Sequence, residues 1–273
     1  MIAAPTHNEA ETMTETTLAE ANDGKTRPGG MRSLERSLDV LEALAHAGQP
    51  QRLVDIAQAT GLSPATALRI LTVLERRQFV IAENLRYRLG VVNLVTSYAF
   101  TRDDTLSSHA KRFMQELAAA TGLSVALQVR YGLQRVPIAR VSGKDPLRYE
   151  LPNGRPLPLH LGAGKVFAAY MERPEFDALM DAVGGTMRTI RGDVFTPDDL
   201  WQELQQIRAR GYHVSEEERA IGTRSLGVPV TDASGDVIAI LALLSPTETH
   251  TRQDLEALVP EVTRAAHAIG RLT

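Results

Sequence analysis

Apolar residues recur at three- and four-residue spacing in three short segments near the start of the chain, which predicts three amphipathic helices. The first begins at Ser33 and is stopped by Gly48-Gln49-Pro50, and the second covers about residues 53–59. The third begins at Ser63, a favourable N-cap residue that a proline follows, and runs to about Gln78. The spacing therefore predicts a small bundle of three helices.

A period of two residues replaces the helical period after the third helix. The apolar run 79–82, the turn Glu83-Asn84 and the alternating segment 85–89 predict a short hairpin. Three helices followed by a hairpin form the plan of a winged helix-turn-helix, whose recognition helix enters the major groove of DNA. Eight arginines stand against six acidic residues over 31–90, so this segment carries a small positive surplus.

Helical and strand periods alternate beyond residue 104. Helices are predicted over 106–121, 162–171, 174–183, 197–210 and 251–272, and strands over 123–129, 135–141, 211–215, 225–231 and 237–244, with 151–159 as a loop or an edge. This order predicts an α+β domain with an antiparallel sheet flanked by helices. The boundaries that follow are a disordered tail over 1–30, the winged helix-turn-helix over 31–90, a linker helix over 91–104 and the second domain over 105–273.

The composition excludes several kinds of chemistry. The chain has 273 residues, seven histidines, no cysteine and a formal net charge of −3. Disulfides, thiolate catalysis and cysteine-ligated metals are therefore excluded, and no histidines stand at the spacing of a metal motif, so we expect no metal and no cofactor. The longest apolar runs fall far short of the roughly 20 residues that span a bilayer. No signal peptide opens the chain, so we expect a cytoplasmic protein with no membrane partner.

Six segments occur in the order found in one known family. They are LERSLDVLEAL (34–44), DIAQATGLSPATALRILTVLERRQFV (55–80), YRLG (87–90), GAGKVFAAY (162–170), IRARGYHVSEEERAIGTRSLGVPV (207–230) and GDVIAILALLSP (235–246). With them the chain resembles the IclR family of bacterial transcription regulators. The resemblance implies a GAF-like effector-binding domain, dimers that pair into tetramers, and control of a catabolic operon as a repressor or activator. It also implies a small organic acid as the effector.

Candidate DNA contacts lie at the start of the third helix and on the hairpin. Hydroxyl side chains there can bond bases or phosphates, and an arginine can donate two hydrogen bonds to guanine. Two arginines on one strand, two residues apart, point to the same side of the wing. The alternative is that these arginines are only solvated charges. The candidates are Ser63, Thr66, Arg69, Arg86, Tyr87 and Arg88.

The resemblance also implies a ligand site at the turn before the second domain's second helix. In such proteins the backbone N–H groups of this turn hold the ligand carboxylate, which here means Gly162, Ala163 and Gly164. Free N–H groups at a helix start do attract anions, although a plain helix start with packing glycines is the alternative. His160 either lines the pocket or is a core histidine. We expect Lys165 to be exposed and the run 216–219 to be a solvated or subunit-contact loop.

The small-acid sensors of the family add four polar anchors to that site: an aspartate, a cysteine and two serines. The matching positions here are Ser215, Ser225, Ala242 and Leu244. An acid and a thiol become hydroxyls, and two hydroxyls become apolar side chains. A buried polar ligand needs a partner for each polar group, so these replacements favour a carboxylate with an apolar or aromatic body.

Two other functions compete with an effector-controlled regulator. An enzyme built on a GAF-like domain, such as a sulfoxide reductase, would need cysteines, and no catalytic constellation is visible in the sequence. We therefore expect no enzyme and assign no catalytic residue. The remaining alternative is a DNA-binding or partner-docking protein that has no small-molecule effector.

Overall fold

The computed structural model describes residues 31–144 and 152–273. The chain divides into two compact units that meet between Asp103 and Asp104. The predicted tail over 1–30 lies outside the described residues, as does the first residue of the predicted loop or edge over 151–159. None of the helices in the described ranges is both long and apolar enough to cross a membrane.

Over the described residues 31–103, the first unit has four helices and three short strands. They are α1 (Arg32–His46), β1 (Gln51–Arg52), α2 (Leu53–Ala59), α3 (Pro64–Arg76), β2 (Val80–Glu83), β3 (Arg86–Leu89) and α4 (Val91–Asp103). The three strands form an antiparallel sheet in the order β1-β3-β2, so the predicted hairpin has a third strand beside it. Val40, Ile56, Leu71 and Val80 are among the residues of its apolar core.

Local side chains explain how α3 begins and how the wing returns to it. The Ser63 side chain caps α3 by accepting a hydrogen bond from the Thr66 backbone N–H at 3.3 Å. After the wing, the chain comes so close to the end of α3 that a Cβ on Gly90 would overlap the carbonyl of Gln78. Glycine is therefore required where the wing closes on the helix.

The second unit contains a six-stranded sheet, a two-stranded hairpin and helices of varied length. Its helices are α5 (Thr105–Thr121), α6 (Lys165–Ala168), α7 (Arg173–Ala182), α8 (Pro197–Arg210), α9 (Arg252–Ala257) and α10 (Val259–Gly270), and a 3₁₀ turn covers Gly162–Gly164. Its strands are β4 (Ser124–Tyr131), β5 (Gln134–Val141), β6 (Leu157–Pro158), β7 (Met187–Arg188), β8 (Val194–Phe195), β9 (His213–Glu216), β10 (Thr223–Thr231) and β11 (Val237–Pro246).

The large sheet has the order β6-β5-β4-β11-β10-β9, and every neighbouring pair is antiparallel. Successive side chains of a strand point to opposite faces. Thus Leu241 and Leu243 belong to the apolar core that includes residues of α5 and α10, whereas Ile240 and Ala242 belong to the core with residues of α6, α7 and α8. The two faces of the sheet are therefore both covered, and the predicted α+β architecture is confirmed.

Two helix predictions were wrong in detail, and one short hairpin was not predicted. The predicted closing helix over 251–272 is two helices, because Pro260 lies in the first turn of α10, where it has no N–H to continue the bonds of α9. The predicted helix over 162–171 begins as the 3₁₀ turn and ends at Ala168. The small hairpin of β7 and β8 has only two residues in each strand, too few for a periodic signal.

Candidate functional site

The start of α3 presents a polar surface. Ser63 and Arg69 are exposed and Thr66 is half-buried, and the Ser63 and Thr66 hydroxyl oxygens lie 2.9 Å apart. Arg69 forms no hydrogen bond or ion pair with any other residue that the structure describes. The three predicted α3 positions therefore lie together at the exposed end of one helix, where N–H groups and the helix dipole favour an anion such as a phosphate.

The wing places two arginines and one tyrosine differently. Arg86 and Arg88 are exposed; Arg86 Nη1 donates to the Pro50 carbonyl at 3.0 Å, and Arg88 lies 3.9 Å from Glu83. Tyr87 lies between them in the strand, so its side chain points to the other face and packs against the apolar core of the unit. The structure thus brings the two arginines together and turns Tyr87 away from them.

The second unit contains a cavity between the sheet and the 3₁₀ turn. The centre of a water-sized sphere can occupy a volume of about 60 Å³ in this cavity. This is several times the volume that one water molecule requires by the same measure. Five of the eight predicted ligand contacts line it: Gly162, Ala163, Ser215, Ser225 and Leu244. The hydroxyl oxygens of Ser215 and Ser225 lie 2.7 Å apart on the neighbouring strands β9 and β10.

The other three predicted contacts lie behind the cavity wall. His160 is only 2 % exposed, and its Nδ1 has no hydrogen-bond partner within the described residues. The pKa of His160 is lowered to about 4, chiefly by burial and also by the positive charges of Arg135 and Lys165. Gly164 is buried where a Cβ would collide with Arg135, and Ala242 packs in the apolar core beside Ile240.

Two of the three N–H groups that the sequence suggested as free donors, those of Gly162 and Gly164, have partners within the chain. The Gly162 N–H donates to Glu218 Oε2 at 2.8 Å, and the Gly164 N–H donates to the Leu161 carbonyl at 3.2 Å. A carboxylate of the chain itself therefore occupies the position at Gly162 that was predicted for a ligand carboxylate.

The expectation that Lys165 is exposed was wrong, and Glu218 in the run 216–219 is mostly buried rather than solvated. Lys165 is 1 % exposed, and its Nζ lies 2.9 Å from Glu203 Oε2 and 3.0 Å from Glu218 Oε1. His213 Nε2 lies 3.2 Å from the same Glu218 oxygen. Burial by itself raises the pKa of Glu218, but the His213 hydrogen bond and the Lys165 charge outweigh it and lower the pKa to about 2. Glu218 is thus an ionised, buried part of the fold.

The same residues include a possible set of metal ligands. Glu203, His213 and Glu218 have ligand atoms that lie within 4.8 Å of one another. The Lys165 ammonium already lies within hydrogen-bond distance of both carboxylates, so its positive charge is where a cation would bind. Within the described part of the chain, this set is therefore used by a buried ion-pair network.

Sequence reasoning missed the most buried charge of the cavity wall. Arg135 is 3 % exposed and lines the cavity. Its Nε donates to Gln128 Oε1 at 2.5 Å, and its Nη1 donates to the carbonyls of Leu161, at 2.9 Å, and Pro158. The pKa of Arg135 is lowered to about 9, chiefly by burial and also by the nearby charge of Arg219. The signal available in the sequence was a charged residue just after the turn of the β4–β5 hairpin, where Gln128 can reach it.

A winged helix-turn-helix with exposed arginines, joined to a separate α+β unit with its own cavity, defines a DNA-binding transcription regulator. The model of the IclR helix-turn-helix domain matches residues 33–82, and that of the bacterial transcriptional regulator IclR C-terminal domain matches residues 99–271. The chain belongs to the IclR family of bacterial transcription regulators, which are not enzymes. The family resemblance seen in the sequence is thereby confirmed.

Named relatives agree with this class. The chain is 28 % identical to the transcriptional regulator XynR of Escherichia coli over 88 % of this chain and 96 % of XynR. It is 30 % identical to the transcriptional repressor AllR of Escherichia coli over 81 % of this chain and 83 % of AllR.

Solved structures share the fold. An IclR regulator from Alicyclobacillus acidocaldarius has a TM-score of 0.73 at 24 % identity and covers 89 % of this chain and 99 % of its own. An IclR homologue from Microbacterium hydrocarbonoxydans, complexed with 4-hydroxybenzoate, has a TM-score of 0.67 at 20 % identity and covers 87 % of this chain and 97 % of its own.

Proposed function

We propose that this regulator binds operator DNA through α3 and the wing, and that a small organic acid in the cavity of its second unit modulates that binding. The regulated genes are those of a catabolic operon, as the family resemblance suggests.

The apolar body of the acid is inferred from the cavity wall. Ala126, Pro137, Leu157 and Leu244 supply apolar surface, and Ser215 is among the polar residues that also line the cavity. A ligand pocket of this kind buries an apolar body and orients it with a few polar groups. The 4-hydroxybenzoate held by the Microbacterium homologue is an aromatic acid of this chemistry. We therefore propose a carboxylate with an apolar or aromatic body as the effector.

The DNA-binding part of the proposal is carried by Arg69. This side chain is exposed near the start of α3, and no residue in the described ranges forms a hydrogen bond or ion pair with it. In a helix-turn-helix this end of the recognition helix faces base edges, where an arginine can bind guanine. Ser63, Thr66 and the wing arginines Arg86 and Arg88 would then contact phosphates or bases around it.

Self-association is part of the same proposal. Helix α4 exposes Val91, Leu94, Val95, Tyr98 and Phe100, each by more than half of its surface. A second copy of the chain is the natural partner for this apolar side, because a two-fold dimer matches the two half-sites of a palindromic operator. We propose dimers formed through α4, which can pair further into dimers of dimers.

The first experiment is a mobility shift with the DNA upstream of the chain's own gene. Wild type, Arg69→Ala and the control Arg112→Ala are compared, each titrated with a panel of aromatic and short carboxylic acids. Arg112 is an exposed arginine of α5 in the second unit, so its loss should leave DNA binding unchanged. We expect Arg69→Ala to weaken specific binding by about 1–3 kcal/mol, if Arg69 forms a bidentate contact with a base.

The outcomes separate the two parts of the proposal. Specific binding that Arg69→Ala weakens and that one acid changes would support both parts. DNA binding that no acid changes would favour the alternative of a DNA-binding or docking protein without an effector. Binding by wild type only at the salt-sensitive, nonspecific level would count against the operator.

A further inference from the structure

Arg135 is held rigidly with one side toward the cavity. Gln128 and the carbonyls of Pro158 and Leu161 take the hydrogen bonds of Nε and Nη1. These three acceptors are neutral, and within the described residues Arg135 forms no ion pair. A guanidinium that is 3 % exposed and hydrogen-bonded only to neutral groups has no anion in direct contact, and a desolvated anion would bind to it strongly.

The two carboxylates of the cavity wall are used elsewhere. Glu217 forms an ion pair with Arg191, and Glu218 forms one with Lys165. Neither therefore neutralises Arg135 by direct contact. The charge of Glu218 acts on Arg135 only from a distance, so an anion that enters the cavity would be the first to contact the guanidinium directly.

The open space beside Arg135 is polar on two sides. A Cβ placed on Gly162 would lie 3.5 Å from Arg135 Nη2 and 3.7 Å from the Ser215 hydroxyl. Glycine leaves this point free, and Ser225 lies 2.7 Å from Ser215 on the next strand. The space therefore has a cationic donor on one side and a pair of hydroxyl groups on the other.

We propose, resting on the effector function proposed above, that Arg135 is the residue that recognises the anionic group of the effector. The carboxylate lies between Arg135 Nη2 and the Ser215 hydroxyl, and its apolar body extends along Leu157 and Leu244. The Gly162 N–H does not bind the ligand anion, because it already donates to Glu218. The ligand class is thus a carboxylate rather than a neutral molecule of the same shape.

The test is calorimetric titration of the full chain, without DNA, with benzoate, 4-hydroxybenzoate and the neutral isostere benzamide. Wild type is compared with Arg135→Gln, Arg135→Lys and Arg130→Gln. Arg130 lies opposite Arg135 on the neighbouring strand but pairs with Glu175 outside the cavity, which makes it the matched control. Unfolding followed by fluorescence of the single tryptophan, Trp201, checks that each variant is folded.

We expect wild type and Arg130→Gln to prefer an acid over benzamide. Arg135→Gln should weaken acid binding about 10- to 100-fold and leave benzamide binding unchanged, as follows from the loss of a charge-assisted hydrogen bond. Arg135→Lys should weaken acid binding less, because it keeps the charge but not the planar fork. A merely structural role would instead weaken acid and amide alike, so the ratio of the two affinities is the deciding measurement.

Four results would overturn the inference. If Arg135→Gln binds the acids as tightly as wild type does, the anion is recognised elsewhere while the effector function stands. If Glu218→Gln tightens acid binding and Arg135→Gln has no effect, the anion belongs to the Gly162 turn. If no acid binds wild type, the inference fails together with the effector part of the proposed function. Should Arg135→Gln not fold, unchanged acid affinity in Arg135→Lys overturns it.

Discussion

The buried ion pairs of Lys165 give the most direct test of the second unit's architecture. The perturbation is Lys165→Met, which keeps an unbranched side chain of similar length and removes the ammonium. Lys165 is buried and within 3.0 Å of carboxylate oxygens of both Glu203 and Glu218. The variant would therefore leave two carboxylates close together in a site with little water.

The magnitude follows from the burial of each group. Removing one partner of a fully buried ion pair costs about 3–5 kcal/mol, because the other charge remains desolvated. Glu218 is 12 % exposed in its side chain, but Glu203 is 27 % exposed and regains part of its hydration. Glu218 also keeps its hydrogen bonds to His213 and to the Gly162 N–H. We therefore expect a loss near the lower end, about 3 kcal/mol of unfolding free energy.

The assay uses the position of the only tryptophan. Trp201 lies on α8, and its ring centre is 4.9 Å from that of Phe176, so its fluorescence follows unfolding of the second unit. Urea titrations of wild type and Lys165→Met then give the difference in unfolding free energy. Arg112→Met is the control, because it breaks an exposed pair with Glu116 and should leave the midpoint within experimental error.

A second variant separates charge from packing. Lys165→Met combined with Glu218→Gln removes one of the two stranded carboxylates, so the double variant should lose less than the sum of the single losses. A loss below about 1 kcal/mol in Lys165→Met would refute the reasoning, since surface pairs already reach that size. Strict additivity of the two changes would refute the direct pairing of Lys165 with Glu218.

Three further predictions concern single side chains. Burial lowers the pKa of His160 from 6.5 to about 4, so the unfolding free energy should fall by about 3 kcal/mol as the pH falls from about 6.5 to 4. In urea titrations, His160→Gln should remove that part of the pH dependence, whereas His109→Gln, at an exposed position, should not. Ser63→Ala should cost the first unit about 1 kcal/mol in thermal unfolding followed by circular dichroism, and Ser63→Asp should restore the cap while weakening DNA binding in a mobility shift. Gly90→Ala should lower the melting temperature more than Ser63→Ala does, because its Cβ would overlap the Gln78 carbonyl.

Local signals were sufficient for most of the secondary structure. Ser63 and the proline after it mark the start of α3 in the sequence, and the structure shows the cap that this pair predicts. The continuous apolar run of β11 likewise fits a strand that is covered on both faces, and the structure packs Leu241 and Leu243 on one face and Ala242 on the other. These features depend on residues only a few positions apart, so the sequence pattern contains them.

Long-range partners could not be read in the same way. Lys165 reaches carboxylates 38 and 53 residues further along the chain, on α8 and just after β9. The apolar neighbours Val166 and Phe167 hint that this lysine lies near the core. They do not indicate which distant carboxylates it would meet. The position of β1 beside β3 has the same character, because a two-residue strand has no period of its own.

Glu218 links the cavity to the buried network. One of its oxygens accepts the Gly162 N–H, and the other accepts from Lys165. The Gly162 N–H is thus bound by a carboxylate whose other oxygen is paired with Lys165, and a ligand anion at Gly162 would have to displace that carboxylate. Displacing it would weaken the ion pair of Lys165 in a buried site, which is costly. In the binding mode proposed above, ligand selectivity is set by the side chains on the sheet, of which Arg135 and Ser215 lie beside Gly162.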